Sequence, residues 1–257
     1  MTASPLVVWC DGAADGPGNM AADELLAEES ARLERPLLRL YDWTTPTVSL
    51  GAFQPLAEVG SCAAVTGLPL VRRPSGGGAI LHGTDVTYAM AVPKTHPWGR
   101  TPQTLYDALH GAMVEVLAGI GIATRLHVAA IDDPPGDAFL CFDRRAPGDL
   151  VGPAGPGMRA PKLMGSAQRR LGASVLQHGS LLVASPRGVG SRHPGVIELL
   201  GGAEVPAATI VEPWLARVAT LLGSPIERRP DWFTRGREAQ VEERAGRFRD
   251  PRWTGRR

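Results

Sequence analysis

Three segments of this 257-residue chain gather side chains that could do chemistry together. FLCFDRR (139–145) sets Cys141 between two phenylalanines and just ahead of Arg144 and Arg145. KLMGSAQRR and SVLQHGSLLV (162–183) read as two paired strands. Period-two alternation then puts Lys162, Met164 and Ser166 on one face of the first, and His178 and Ser180 on one face of the second. RRPSGGGAILHG (72–83) has three consecutive glycines between strands, where backbone can approach a ligand and aim N–H groups at an anion. Arg72 and Arg73 add fixed charge beside it. An ionised thiol is a nucleophile, and an ammonium or a ring of N–H groups can hold a developing oxyanion.

Each part also has a plain structural reading. Gly76, Gly77 and Gly78 alone make a flexible turn, and His178 a hydrogen-bonded core histidine. Lys162 makes a solvated strand end, and a cysteine between phenylalanines inert core. Cys10, in a uniformly apolar strand, and Cys62, on a helix, have weaker claims to reactivity. Lysine usage draws attention to Lys162: of 27 basic residues only Lys94 and Lys162 are lysines. In so arginine-rich a chain, a retained lysine suggests a need for a compact, tunable ammonium.

Composition excludes several classes. A formal net charge of +1 gives no global case for nucleic acid or an anionic membrane as partner. Three cysteines without a pairing pattern fit a reducing compartment and no disulfide framework. No Cys/His cluster has zinc spacing, so no metal is expected. The N-terminus lacks a signal-peptide pattern, and no apolar run nears the roughly 20 residues of a membrane span. The expectation is a cytoplasmic protein.

The elements that must position these residues follow from periodicity. LVVWC (6–10) reads as a buried strand, and Asn19 as the cap of a helix carrying Ala22, Leu25, Leu26 and Leu33. PLLRLYDW and TPTVSLG are strands, and 55–66 a short helix closed by Gly67. PLVRRP, GGGAILHG and DVTYAMAVP are three further strands. A helix from Pro102 carries Leu105, Leu109, Ala112, Met113, Val116 and Leu117 at helical spacing, with Gly121 placed to end it. The segment 151–161 is a Gly/Pro-rich loop. Val211, Trp214, Leu215, Val218, Leu221 and Leu222 make an amphipathic stripe, and a charged helical tail begins at about 230. Strands in runs without regular βαβ alternation indicate one α+β domain over 1–257, with a mixed, largely antiparallel central sheet flanked by helices.

In order and spacing, GNMAADELL, LRLYDWTTPTVSLGAFQ, RRPSGGGAILHG with DVTYA, KLMGSAQRR and LQHGSLLV resemble the lipoate–protein ligase A, octanoyltransferase and biotin–protein ligase superfamily over nearly the whole chain. The resemblance implies an acyl ligand beside the Gly-rich turn, with Lys162 reaching its carbonyl. Arg72, Arg73, Ser75, Gly76, Gly77, Gly78, His82, Gly165, Ser166, Ala167, His178 and Gly179 are then the acyl- and substrate-binding set.

Two reactions compete within that superfamily. A ligase activates a free carboxylate with ATP and magnesium. A transferase starts from a thioester on acyl carrier protein and needs a cysteine nucleophile but no nucleotide. Cys141-Phe142 ahead of KLMGSAQ matches the cysteine-dependent octanoyltransferases of ligase-like sequence. Gly148-Asp149 stands where ligases carry Asn-Asp, and the extra C-terminal domain usual in ligases is not expected here. The resemblance therefore implies octanoyl transfer from acyl carrier protein through Cys141, paired with Lys162, without cofactor. The acceptor is a lysine of a lipoyl-carrier protein, such as a glycine-cleavage H protein or a dehydrogenase E2 lipoyl domain. Burying about seven methylenes contributes up to about 6 kcal/mol to holding the chain. His82 and His178 are candidates to take the amine's proton. The alternatives are an ATP-dependent ligase, transfer between lipoyl domains, and a non-catalytic acyl-binding module. One departure from the family is the 151–161 loop, which could displace Lys162 or act as a lid.

Overall fold

The computed structural model describes residues 4–128, 138–155, 159–186 and 193–256. Its centre is a mixed sheet built from β1 (Leu6–Ala14), β2 (Leu37–Trp43), β6 (Asp85–Pro93), β7 (Arg125–Leu126), β8 (Leu150–Val151), β9 (Lys162–Leu171), β10 (Ser174–Leu182) and β11 (Ile226–Arg228). The strand order is β11-β1-β2-β6-β10-β9-β8-β7; β1 runs parallel to β2 and β11, and every other neighbour is antiparallel. The expected α+β class with a largely antiparallel sheet is what forms. A smaller sheet joins β3 (Thr47–Leu50), β4 (Leu70–Arg72) and β5 (Ile80–His82) in the order β4-β3-β5.

Helices cover both faces of the large sheet because its central strands are apolar on both. On one face lie α3 (Pro102–Gly119) and α5 (Ala207–Leu222), packing Leu105, Leu109, Met113 and Trp214 against Leu38, Met90, Met164 and Val175. On the other lies α1 (Gly16–Leu33), packing Ala22, Leu25 and Leu26 against Val7, Leu37, Ala91 and Leu176. The remaining helices are α2 (Pro97–Arg100), α4 (Val196–Leu199), α6 (Glu238–Arg249) and α7 (Pro251–Thr254).

Several local expectations are corrected. Asp15, not Asn19, caps α1, its carboxylate accepting from Gly18 N at 2.8 Å. Asn19 is buried inside the helix, donating to Asp42 O at 3.0 Å and accepting from Arg39 at 2.9 Å. The helix at 55–66 is two 3₁₀ turns, Leu56–Ser61 and Ala63–Val65. Cys10 ends the apolar run at an exposed position of β1, between buried Trp9 and buried Asp11. Leu221 falls off the buried stripe of α5 and is 56% exposed.

The charged tail forms α6 and α7, and it contributes to the scaffold. Phe248 is buried against α1 neighbours, and Trp253 Nε1 donates to Arg72 O at 2.8 Å. The 151–161 loop leaves Lys162 paired in the sheet across a register shift between Leu150 and Val151, with Val151 opposite Lys162 and Gly152 N donating to Pro161 O at 2.8 Å. Its residues 156–158 lie outside the described residues.

Candidate active site: a cysteine, a lysine and a narrow slot

The side chains of Cys141 and Lys162 meet, with Sγ and Nζ 3.4 Å apart. Cys141 opens a 3₁₀ turn, Cys141–Asp143, that is stitched to the Gly-rich segment. Ala79 N donates to Phe139 O at 2.9 Å, and Cys141 N donates to Ala79 O at 2.7 Å. Gly78 permits this approach: a Cβ there would lie 3.0 Å from both the Cα and the N of Cys141. The glycine run thus brings backbone against the thiol-bearing turn, while Gly77 turns the chain at φ 92°.

Lys162 reaches the sulfur by crossing the bare backbone of Gly165. A Cβ at that position would sit 2.4 Å from Cε and 2.6 Å from Nζ of the lysine. Gly165→Ala is therefore expected to displace the ammonium and to leave the buried Asp149 carboxylate without its cation, at a cost of about 3–5 kcal/mol. Alkylation of the Cys141 thiol by iodoacetamide should slow at least tenfold, on the order of a lost charge-assisted contact, and the urea midpoint should fall with the loss of the Lys162–Asp149 pair. An alanine variant with wild-type thiol reactivity would show that the crossing is incidental.

Asp149 holds the ammonium from the other side. Its Oδ2 is 2.8 Å from Lys162 Nζ and accepts from Ala146 N at 2.7 Å, and its Oδ1 accepts from Tyr106 OH at 2.6 Å. Burial pulls the Lys162 pKa down, but Cys141 and Asp149 together outweigh it and hold the amine above its ordinary value. Burial and the Asp149 charge push Tyr106 well up, so it remains a phenol donor. The arrangement can do three things: present a thiol beside a cation, keep that cation charged, and place positive charge where an oxyanion on an attacked carbonyl would grow.

Beneath the lysine strand, His110 Nε2 and Tyr88 OH each lie 2.7 Å from Ser166 Oγ, and His110 Nδ1 is 2.8 Å from Gly148 O. Burial holds the His110 pKa down at about 4. An unfolded chain takes up that proton below about 6.5 while the folded one waits until about 4, so acidification across this window favours unfolding. The loss is expected to reach about 3 kcal/mol. His110→Gln should flatten that limb of a urea-unfolding series across pH, and equal slopes would rule His110 out as its source.

The slot beside the dyad is lined by Met20, Tyr41, Trp43, Arg73, Ile80 and His178, among others, and its cavity measures only about 20 Å³. Ile80 joins it to the dyad, packing with Phe142 and Cys141. Among the expected binding residues, Arg73, His82, Ala167, His178 and Gly179 line this slot. Arg73 clamps the glycine turn, donating at 2.7 Å to the carbonyls of Ser49, Gly76 and Gly78. Burial lowers its pKa to about 10, which leaves it a cation at neutral pH. Ser75 bonds His178 Nε2, and Asp23 Oδ2 holds His178 Nδ1 at 3.0 Å. Asp23 in turn meets Arg39 at 3.2 Å and Tyr41 OH at 3.0 Å.

Three expectations require correction. The Arg72 guanidinium does not line the slot. It donates to Gly51 O and Gln54 O at 2.7 Å each and to Thr254 O at 2.8 Å, bracing the loop from behind. Ser166 turns to the α3 side, because strand alternation opposes it to Ala167, which faces the slot with His178. His82 and His178 are poorly placed to accept an amine's proton. Each has both ring nitrogens engaged, His82 with Ser49 at 2.9 Å and Asp85 at 2.8 Å, and His178 with Ser75 and Asp23. Arg144 and Arg145 are committed to the carbonyls of Ala138 and Ala160.

Sequence reasoning passed over Asp149 as a site residue, and Tyr106, His110 and Asp23 altogether. The signal for Tyr106 and His110 was their i, i+4 spacing beside the apolar stripe of α3, which aims both at one point of the sheet. Among the described residues no group of three His, Cys, Asp or Glu side chains could hold a metal.

The architecture is that of the lipoate protein ligases. The protein Ta0514 of T. acidophilum, assigned as a lipoate protein ligase, shares this fold with a TM-score of 0.74, at 18% identity over 99% of this chain and 100% of that one. The profile of the lipoyl protein ligase A/B catalytic domain matches residues 15–188, more than half of the chain, and the protein belongs to that family. Among curated relatives, octanoyltransferase LipM of Anoxybacillus flavithermus is 35% identical over 176 residues, 64% of this chain and 60% of that protein. LipM of Moorella thermoacetica is 36% identical over 186 residues, 67% of this chain and 63% of that protein. The match thus spans less than two thirds of these relatives' length.

Proposed function

We propose that this protein is an octanoyltransferase of protein lipoylation, moving the acyl group from a carrier-protein thioester to Cys141 and then to a lysine of a lipoyl-carrier protein. The observation that carries the proposal is the 3.4 Å contact between Cys141 Sγ and a buried, charged Lys162 beside the slot. The similarity to LipM octanoyltransferases supports the same chemistry.

The donor's acyl chain enters the slot, whose side chains must part to admit it, and its thioester carbonyl comes to rest between sulfur and ammonium. The Sγ–C bond forms as the donor C–S bond breaks. The electron pair leaves with the donor sulfur, which ends carrying the proton Cys141 gave up. Lys162 stabilises the oxyanion throughout, kept in place by Asp149. In the second half the neutral amine of the acceptor lysine attacks the acyl-enzyme. The N–C bond forms, the Sγ–C bond breaks, and one amine proton passes to the released Cys141. Neither step consumes a nucleotide or needs a metal.

Mass spectrometry of the intact protein with octanoyl-carrier protein and no ATP tests this. The expected result is one octanoyl addition, labile to hydroxylamine, on the peptide containing Cys141. Modification of a lipoyl domain only with free octanoate and ATP would replace the proposal with the ligase reaction.

A further inference from the structure

A thioester has two arms, and the slot takes only one of them. A second, larger cleft borders the dyad, with a volume of about 580 Å³ that is usual for a small-molecule site. It begins at the reacting residues themselves: Phe142, the residue after Cys141, and Pro161, the residue before Lys162, both line it. The Lys162 ammonium sits 5.9 Å from the Phe142 ring centre, so a side chain of the cleft wall reaches the dyad. With its acyl chain in the slot, a carbonyl held between Cys141 and Lys162 has this cleft beside it to receive the sulfur-bearing arm.

The walls of the cleft indicate the chemistry of that arm. Pro153, Pro161, Pro194 and Leu199 form an apolar channel. Arg159 brings a guanidinium group to it, beside Arg145, which donates to Ala160 O. Asp143, a carboxylate of the lining, lies 3.2 Å from His193 Nε2. A thin arm of methylenes and amides ending in a phosphate matches an apolar channel with arginines on its wall, because guanidinium groups pair well with phosphate oxygens.

Resting on the acyl-transfer function proposed above, we infer that this cleft binds the phosphopantetheine arm of the thioester donor. The protein thereby recognises its donor through the arm and not through the acyl chain alone. The arm occurs on coenzyme A and on acyl carrier protein, and the cleft takes it from either.

The test compares the rate of Cys141 acylation from three octanoyl thioesters: N-acetylcysteamine, which lacks the phosphate and most of the arm, coenzyme A, and acyl carrier protein. Wild-type protein should show kcat/KM about tenfold to a hundredfold higher with the two arm-bearing donors, the worth of one charge-assisted contact. Two exposed substitutions perturb the cleft without touching the dyad: Arg159→Glu reverses a charge, and Ala154→Trp fills the channel. Both should bring the coenzyme A and carrier-protein donors down toward the N-acetylcysteamine rate and leave that rate unchanged. Equal wild-type rates with N-acetylcysteamine and coenzyme A donors would overturn the inference while leaving the acyl-transfer function standing. So would variants that slow the carrier-protein donor alone, since the cleft would then read a protein surface. Failure of all three donors to acylate Cys141 would overturn the function and the inference together.

Discussion

A Cys141→Ala protein mixed with octanoyl-carrier protein is expected to gain no octanoyl mass and to transfer to a lipoyl domain about 10⁴- to 10⁶-fold more slowly than wild type, the scale of losing a covalent nucleophile. The fold should survive, because the sulfur is half-buried at a turn and its backbone, not its side chain, makes the contacts to Ala79. Circular dichroism and the urea midpoint would then match wild type within about 1 kcal/mol. The rival outcome is concrete. If the alanine protein modifies the acceptor at the wild-type rate, the acyl group never visits Cys141, and a direct or adenylate route must replace the two-step one.

Removing Lys162 should cost both activity and stability, and the two separate by experiment. In Lys162→Met, acylation should fall about 10²- to 10³-fold, since one oxyanion donor goes with the ammonium. The same change leaves Asp149 buried with only Tyr106 and Ala146 as partners, a loss of about 3–5 kcal/mol. A second variant, Lys162→Met with Asp149→Asn, removes the orphaned charge. It should recover much of the stability and none of the rate. Recovery of rate in that double variant would mean that Lys162 serves only to neutralise Asp149. Lys162→Arg is not expected to rescue, because a planar guanidinium does not fit the gap between sulfur and carboxylate. The linkage has a definite sign. The folded pKa of Lys162 is raised, so its stabilising contribution is complete below the unfolded value of about 10.4 and is lost as pH climbs through the higher folded value. The wild-type protein should lose that increment only at strongly alkaline pH, and the methionine variant should lack this limb.

Much of this molecule was legible before any coordinates. The helix from Pro102 begins at Pro102, because a proline at the first turn and an unbroken i, i+3, i+4 stripe leave little room for another answer. The strands carrying Lys162 and His178 pair as expected, with His178 opposite Ala167. Where local signals misled, a long-range partner had overridden them. Asn19 looked like a cap because it is a good capping residue, but a carbonyl 23 positions away claims its side chain. Arg72 and Arg73 are indistinguishable as neighbours in a string. The fold sends Arg72 to carbonyls behind the loop and Arg73 to those of Ser49 and the glycine turn at the slot. The tail read only as a charged helix, yet its Trp253 and the carbonyl of Thr254 brace Arg72 across some 180 positions of chain.

By itself, the order of residue types along the chain determined the components: a thiol, a scarce ammonium, a glycine run and the strands that carry them. These are local properties, since propensity, alternation and backbone freedom act over a few residues. Only the tertiary structure decided which components meet. It joined Cys141 to Lys162 and Lys162 to Asp149, and it set Tyr106 and His110 beneath the site. Those contacts join residues from separate elements, and their distances follow from how the sheet closes and the helices pack.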